Sequence, residues 1–265
     1  MAPVDKSRKS GGPPDVYELL APAYEILASP ARIQAEVDAL EPSLRSIGAM
    51  RILDAGCAVG LHSSELARRG FWVTGIDRSP SMIKEAKSRA AGLEKAIRPR
   101  FRLIEIEACA SSSAVAFDAI VCMGNTINYA HTGGQRRRVL KAFRAALRPG
   151  GLLVLQLRDL TAVRKKGFIF PVRNLRREGR EWILLRRQDP AGGRVRFVST
   201  LLFRPDADAP WEMRVSESLT DVVGPAPWRE ALERAGFRRI RIASDLAGKK
   251  RRPGAPDLVI FARAD

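Results

Sequence analysis

The period of the hydrophobic positions changes several times along the chain, and each change marks an element. Short apolar runs at 51–55, 72–76, 101–106, 117–122 and 151–157 read as strands. Between them the apolar residues fall at helical spacing: 60–69, with Leu61, Leu66 and Ala67 on one side, then 80–90 and 134–147. The last of these helices meets a stop at Pro149-Gly-Gly151. Strands alternating with helices predict an α/β fold, a parallel sheet with helices on both faces. Upstream, 15–28 reads as helical, with Tyr17, Leu19, Leu20, Tyr24 and Leu27 on its apolar side and Pro22 as an interruption that allows two short helices. A further helix is expected over 31–40 from Ile33, Val37 and Leu40. After Leu160 the pattern changes to three β segments, 182–187, 194–203 and 211–219, joined by Gly-Gly and Pro-Asp turns, which predicts an antiparallel excursion. A helix over 227–235 and strands over 237–243 and 258–262 follow. The implied organisation is a disordered tail (1–14), an N-terminal helical lid (15–45), a core (46–160), a β insertion (161–220) and a segment completing the core sheet (221–265).

The stretch Arg51-Ile-Leu-Asp-Ala-Gly-Cys-Ala-Val-Gly60 joins the first strand to its helix, and the next strand ends in Asp77. A carboxylate thus sits at the tip of each strand, Asp54 and Asp77. Glycines in the turn let backbone approach a ligand closely, and the following helix offers unpaired N–H groups. Such a strand–turn–helix–strand unit binds a nucleoside-containing cofactor, with Asp77 placed to accept both ribose hydroxyls. The spacing Asp-x-Gly-x-x-x-Gly, with Ala58 inside it, is not the Gly-x-Gly-x-x-Gly of a pyrophosphate cradle.

Two further pieces fall at neighbouring strand ends. Met123-Gly-Asn125 closes the strand that begins at Asp118; its carbonyls and Asn125 suit an amino-acid-like moiety, or it is simply a strand-to-helix turn. Arg158 ends an otherwise apolar strand. There it either holds a substrate carboxylate through two parallel hydrogen bonds, or runs into solvent or pairs with Asp159.

Composition narrows the chemistry. Cys57, Cys109 and Cys122 have neither zinc nor disulfide spacing, so no metal site is expected and buried packing is the simple role for each. His62 and His131, the two histidines, have no nucleophile in a hydrolase motif. No apolar run has the length of a membrane span, and the polar, Gly/Pro/Lys-rich N-terminus is unlike a signal peptide; a cytoplasmic protein is the default expectation. The net charge of +17 raises an anionic partner such as RNA. Its spread over the whole chain, without interleaved aromatics, fits an Arg-rich solvated surface better.

The turn resembles that of S-adenosylmethionine-dependent methyltransferases of the Rossmann-like class I, whose cofactor has no phosphate. The order of the pieces, with Met123-Gly-Asn125-Thr, Arg148-Pro-Gly-Gly-Leu-Leu-Val, Arg158 and the Arg-Pro-Gly turn at Arg252, resembles glycine/sarcosine N-methyltransferases and related small-molecule enzymes. The resemblance implies a doubly wound, mostly parallel seven-stranded sheet whose last strand is antiparallel. It implies S-adenosyl-L-methionine as cofactor, S-adenosyl-L-homocysteine as product and a small-molecule acceptor, with a homo-oligomer as one option. On it, Asp54, Gly56, Cys57, Ala58 and Gly60 form the methionine-side turn, Asp77 with Arg78 takes the ribose, and Met82 packs on the adenine. Cys109 and Ala110 lie at the adenine edge, Met123 and Asn125 close the site, and Arg32 reaches the cofactor carboxylate. Tyr17 or Tyr24 approaches the sulfonium, while Asn125, Tyr129 and Arg158 meet the acceptor. Departures concern the acceptor: Asp159-Leu160 replaces the Asn-Tyr pair of glycine methylation, Tyr129 stands where histidine is common, and three tyrosines are too few for the glycine enzymes' pocket. A glycine substrate is therefore not expected; the resemblance, with no histidine well placed by the motif, points to N-methylation of an amine or amino-acid-like acceptor by direct in-line transfer, while O-methylation of a natural product, RNA methylation and a silent cofactor-binding scaffold stay open.

Asp77→Ala should weaken cofactor binding by about 1–3 kcal/mol, the cost of a lost buried hydrogen-bonding group. Titration calorimetry with the cofactor reads this directly, and an unchanged Kd contradicts the ribose assignment.

Overall fold

A computed structural model describes residues 16–252, 255 and 257–265. The expected disordered tail, the first residue of the expected N-terminal helix, and Pro253-Gly254 of the Arg-Pro-Gly turn lie outside them. The alternation read from the sequence forms a seven-stranded sheet. Its strands are β1 (Arg51–Ala55), β2 (Trp72–Asp77), β3 (Arg100–Leu103), β4 (Phe117–Cys122) and β5 (Leu147–Arg158). Two more strands, β11 (Phe237–Ala243) and β12 (Asp257–Ala264), come from the C-terminal end of the chain. The order across the sheet is β11-β12-β5-β4-β1-β2-β3. Strands β1 to β5 pair in parallel, and β12 inserts antiparallel between β5 and β11. Order reverses between β1 and β4, which places their carboxyl ends, at Asp54 and Met123, side by side at the switch point.

The central strands are apolar because both faces are covered. Helices α5 (Gly133–Ala146) and α7 (Pro225–Arg234) enclose one core, with Phe143, Trp228 and Phe237 among its wholly buried side chains. On the other face α2 (Pro30–Arg45) and α3 (Leu61–Arg68) bury Val37, Leu40, Leu44 and Leu66 against Ile52, Phe71 and Val154. Helix α4 (Pro80–Ala90) packs Ile83 and Ala86 on Phe101.

Several boundaries differ from expectation for identifiable reasons. Helix α2 continues through Pro42 to Arg45, because Pro42 lies on its exposed side, where the carbonyl that loses a partner meets water. The stop at Pro149-Gly-Gly151 is a β irregularity rather than a loop. Leu147 already pairs with Phe117, the register then shifts, and Gly150 takes φ +71°. Beyond β3 the chain winds into a 3₁₀ turn, Ile106–Ser112, instead of continuing as strand.

A second, antiparallel sheet carries the excursion. It comprises β6 (Phe168–Ile169), β7 (Arg173–Arg177), β8 (Arg180–Ala191), β9 (Arg194–Arg204) and β10 (Glu212–Asp221), ordered β10-β9-β8 with β6 and β7 both on the free edge of β8. The two-residue length of β6 and the basic, polar sequence of β7 hid them; α6 (Leu160–Lys166), likewise short, is capped by Asp159, which accepts from Thr161 N at 2.9 Å. The N-terminal segment, α1 (Val16–Leu20) and a 3₁₀ turn (Ala21–Ile26), lies on this sheet. Val16, Leu20, Ala23 and Ile26 bury against Trp182, Leu184 and Leu201, and the Trp182 indole donates to Leu19 O at 3.0 Å. Glu25 pairs with Arg89 of α4, so the segment bridges the excursion and the main sheet.

Trp182→Ala removes the anchor of that segment. The variant should unfold at lower denaturant concentration, by about 3–5 kcal/mol, and limited proteolysis should cut within residues 16–28 well before the rest; equal cleavage rates contradict the anchoring role.

Candidate functional site

The turn after β1 is built from left-handed backbone. Gly56, Ala58 and Gly60 have φ of +79°, +47° and +72°. A Cβ on Gly60 would lie 2.6 Å from Phe101 Cζ, and one on Gly56 2.3 Å from Thr126 Cγ2, so both positions require glycine. Gly56 N and Cys57 N both donate to Ile76 O at 2.9 Å, which ties the turn to the end of β2. Asp77 completes the tie: its Oδ2 accepts from Ala58 N at 3.0 Å and its Oδ1 from Ser79 N at 2.9 Å. Burial nevertheless pushes the Asp77 carboxyl above its usual range. With one donor on each oxygen, the group has room for two more. Asp54 is buried, and its pKa is also raised by burial; its Oδ2 accepts from Ser63 Oγ at 2.6 Å.

A polar network that the sequence did not reveal stands beside Asp54. Glu36 of α2 meets His62 Nε2 at 2.8 Å, Arg32 Nε at 2.9 Å and Gln156 Nε2 at 3.3 Å. Burial works against the charge on Glu36, but the His62 hydrogen bond and charge, with Arg32, outweigh it and hold its carboxyl at about 2. Gln156 Oε1 also accepts from Gly124 N at 3.2 Å, joining α2 to the turn after β4. Gln156 is a lone polar residue in an apolar strand and was a signal for this network; Glu36 and His62, far apart in the chain, gave none. Arg32 is held on its own helix by Glu36, its side chain largely exposed at the edge of the network.

In the turn after β4, Asn125 takes φ +75°, which asparagine tolerates. Its Oδ1 accepts from Asn128 Nδ2 at 2.7 Å and Arg158 N at 2.9 Å. That oxygen shapes the turn, leaving the amide NH₂ as the part of the side chain able to meet an acceptor. Arg158 neither runs freely into solvent nor pairs with Asp159, which Arg251 takes. Its guanidinium lies 4.0 Å from the Phe168 ring centroid and 5.1 Å from that of Phe170, and its buried Nε has no hydrogen-bond partner. Arg186 of β8 lies over the same Phe170 at 4.5 Å. Burial lowers both arginines' pKa values, and neither has a carboxylate in salt-bridge contact among the described residues.

The three tyrosines converge. Tyr17 and Tyr129 share a short hydroxyl–hydroxyl hydrogen bond with rings 6.2 Å apart, and Tyr24 packs with Tyr17 on Val59 and Met82. Burial, then mutual repulsion, raises the pKa of Tyr24 and Tyr129, so both stay protonated. Next to them a cavity is lined by Asn125, Asn128, Tyr129, His131, Phe197 and Thr220, with Leu160, Val195 and Ser218. Its walls on β9 and β10, supplied by the excursion, and at His131, which folding brings against Thr220, were not legible in the sequence.

Four expected site residues are placed differently. The Cys57 side chain packs between β2 and α4 with Ile83 and Phe101, Cys109 is buried in the main core, and Met123 in the core under α2. Strand and turn geometry sends each of these side chains inward, leaving only their backbone at the site. Ala110 is exposed on the 3₁₀ turn. Arg78 is exposed after Asp77, and its charge acts on Tyr129 and His131. Arg136, Arg204 and Arg251 each pair with an acidic side chain, Asp221, Glu181 and Asp159. No described helix is long and apolar enough to cross a membrane.

Residues 52–151 match the family model described as a methyltransferase domain. A glycine/sarcosine N-methyltransferase of Aphanothece halophytica is 28% identical over 144 residues, 54% of each chain. A ubiquinone biosynthesis O-methyltransferase of Xanthomonas axonopodis pv. citri is 34% identical over 133 residues, 50% of this chain and 51% of the relative. The match thus spans about half the length of these relatives. Among solved structures, the sugar N-methyltransferase KedS8 from Streptoalloteichus sp. superposes with a TM-score of 0.74 at 21% identity, covering 100% of this chain and 99% of that one. An S-adenosylmethionine-dependent methyltransferase from Clostridium acetobutylicum gives 0.74 at 16% identity, with 94% and 99% covered. The mostly parallel sheet with its antiparallel insertion is the fold of these proteins.

Glu36 carries a testable pH signature. Its folded pKa lies below the unfolded value of 4.5, so its contribution to stability is present above 4.5 and is lost as pH falls towards about 2. Glu36→Gln should flatten the stability–pH curve over that window in chemical denaturation; a curve parallel to wild type removes Glu36 from the acid response.

Proposed function

Because residues 52–151 form a class I S-adenosylmethionine-dependent methyltransferase domain, related to those of small-molecule N-methyltransferases, we propose that this protein methylates the nitrogen of a small amine or amino-acid-like acceptor. The observation that carries the reading is Asp77, desolvated, held against the left-handed turn by Ala58 N and Ser79 N, with acceptor capacity to spare. The residues present fit the cofactor. Glycines at 56 and 60 leave backbone bare, and Asp77 suits a ribose diol. Val59 and Met82 give an apolar wall for a purine.

When bound, S-adenosylmethionine supplies the methyl group as a sulfonium electrophile, so the chain's own task is alignment and exclusion of water. Asp77 orients the ribose. The network of Arg32, Glu36, His62 and Gln156, beside Asp54, receives the amino-acid end. Tyr17 and Tyr24, brought in by the N-terminal segment, cover the reacting centre and leave hydroxyl oxygens to face a cationic sulfur. Arg158, on which the charge of Asp257 acts, and Arg186 flank Phe170 with no carboxylate in salt-bridge contact among the described residues, and so favour an acceptor that brings an acidic group. The O-methyltransferase relative makes a hydroxyl acceptor the second reading.

A screen of glycine, sarcosine, larger amino acids, amino sugars and phenols with S-adenosylmethionine, reading S-adenosylhomocysteine release and product mass, decides between these readings. Turnover of an amine supports N-methylation, turnover of phenols alone moves the assignment to oxygen, and no turnover overturns both. Arg158→Ala should raise KM for an acidic acceptor about tenfold or more, the loss of a charge-assisted hydrogen bond, and leave cofactor affinity nearly unchanged. An unchanged KM removes Arg158 from the acceptor site.

A further inference from the structure

His131 follows the 3₁₀ turn Thr126–Tyr129 and immediately precedes Thr132, the N-cap of α5. Its carbonyl accepts from Asp221 N at 3.1 Å, which fastens this loop to the end of β10. Its ring is fixed as well. Nδ1 lies 2.8 Å from Oγ1 of the buried Thr220, and that hydroxyl donates to Asn128 O at 3.4 Å. The Asn128 carbonyl offers the Thr220 hydroxyl an outlet for its own proton, so Oγ1 can accept from the ring, an arrangement that puts the imidazole proton on Nδ1. The lone pair of the neutral ring then lies on Nε2. Nε2 has no hydrogen-bond partner and is not sealed from solvent among the described residues, and the ring itself lines the cavity beside Tyr129.

We propose that His131 is the general base of the reaction, its Nε2 taking the proton from the acceptor's ammonium group. This rests on the methyltransferase reading above. Deprotonation leaves a neutral amine. Its lone pair forms the new N–C bond while the S–C bond breaks and that electron pair stays on sulfur; the imidazolium passes its proton to solvent. The charged and titratable groups around the ring are Arg78 and Arg136, Asp221 of β10, and the protonated Tyr129. Burial, then the Arg78 charge, lower the pKa of His131, which keeps the base free at neutral pH. Thr220 acts through His131 and is a positioning residue.

Long-range ¹H–¹⁵N spectra of the full chain test the tautomer without any acceptor, since only two histidines contribute and His131→Gln identifies the signals. The expected result is a neutral Nδ1–H imidazole titrating below about 6.5, converted to the Nε2–H form by Thr220→Val. An Nε2–H form in the wild type, or a cationic ring at neutral pH, overturns the proposal. With the acceptor panel above, His131→Gln should lower kcat about 100-fold or more. It should also move the acid limb of kcat/KM up towards the acceptor's own ammonium pKa, with S-adenosylhomocysteine affinity unchanged. Wild-type turnover with an unaltered rate and pH profile in His131→Gln sinks the base alone. A wild-type protein that methylates none of the panel sinks the methyltransferase reading and the base with it.

Discussion

The site depends on one carboxylate reaching back across the sheet. Asp77, at the tip of β2, accepts the Ala58 N–H of the neighbouring turn. Ala58 is a non-glycine residue in left-handed backbone, a conformation that costs about 1–2 kcal/mol. A hydrogen bond to a charged group contributes about 1.5–3 kcal/mol, enough to hold that backbone in place. The same bond points the turn at the strand ends and fixes where Asp77 presents its remaining lone pairs. Burial outweighs the two N–H donors in setting its pKa, and each carboxylate oxygen has a single one of them.

The second constraint is the reach of the N-terminal segment. Residues of α1 and the following 3₁₀ turn bury one side on Trp182 and Leu201, and other side chains on Val59 and Met82. A short segment of this kind has little stability of its own, so its place depends on both sheets. That dependence brings Tyr17 against Tyr129 and packs Tyr24 with Tyr17 on Val59 and Met82. It also explains why α2 behaves differently: its Val37, Leu40 and Leu44 belong to the main core, and it supplies Glu36 to the site from a fixed platform.

The antiparallel excursion supplies one wall of the cavity beside Tyr129. Strands β8 to β10 bring Arg186, Phe197 and Thr220 to the carboxyl end of the main sheet, where Asn125, Tyr129 and Arg158 already stand. Val195, Phe197, Ser218 and Thr220 in the lining of the cavity beside Tyr129 thus come from residues outside the nucleotide-binding pattern.

By itself the sequence determined the alternation of strands and helices, the glycine turn from Asp54 to Gly60 and the carboxylate at Asp77. These are local properties: a change in hydrophobic period, a backbone that only glycine adopts readily, and a polar residue ending an apolar run. It also placed Asn125 and Arg158 at the edge of the sheet that faces the site. Tertiary structure decided which way side chains point and what they meet. It turned Cys57, Cys109 and Met123 into the core, spent the Asn125 carbonyl on its own turn, and stacked Arg158 on Phe168. It joined Glu36 to His62 and Gln156, and His131 to Thr220, pairs separated by 26, 120 and 89 residues. No local pattern carries such pairs, because a hydrogen bond between distant residues exists only once packing has closed the distance between them.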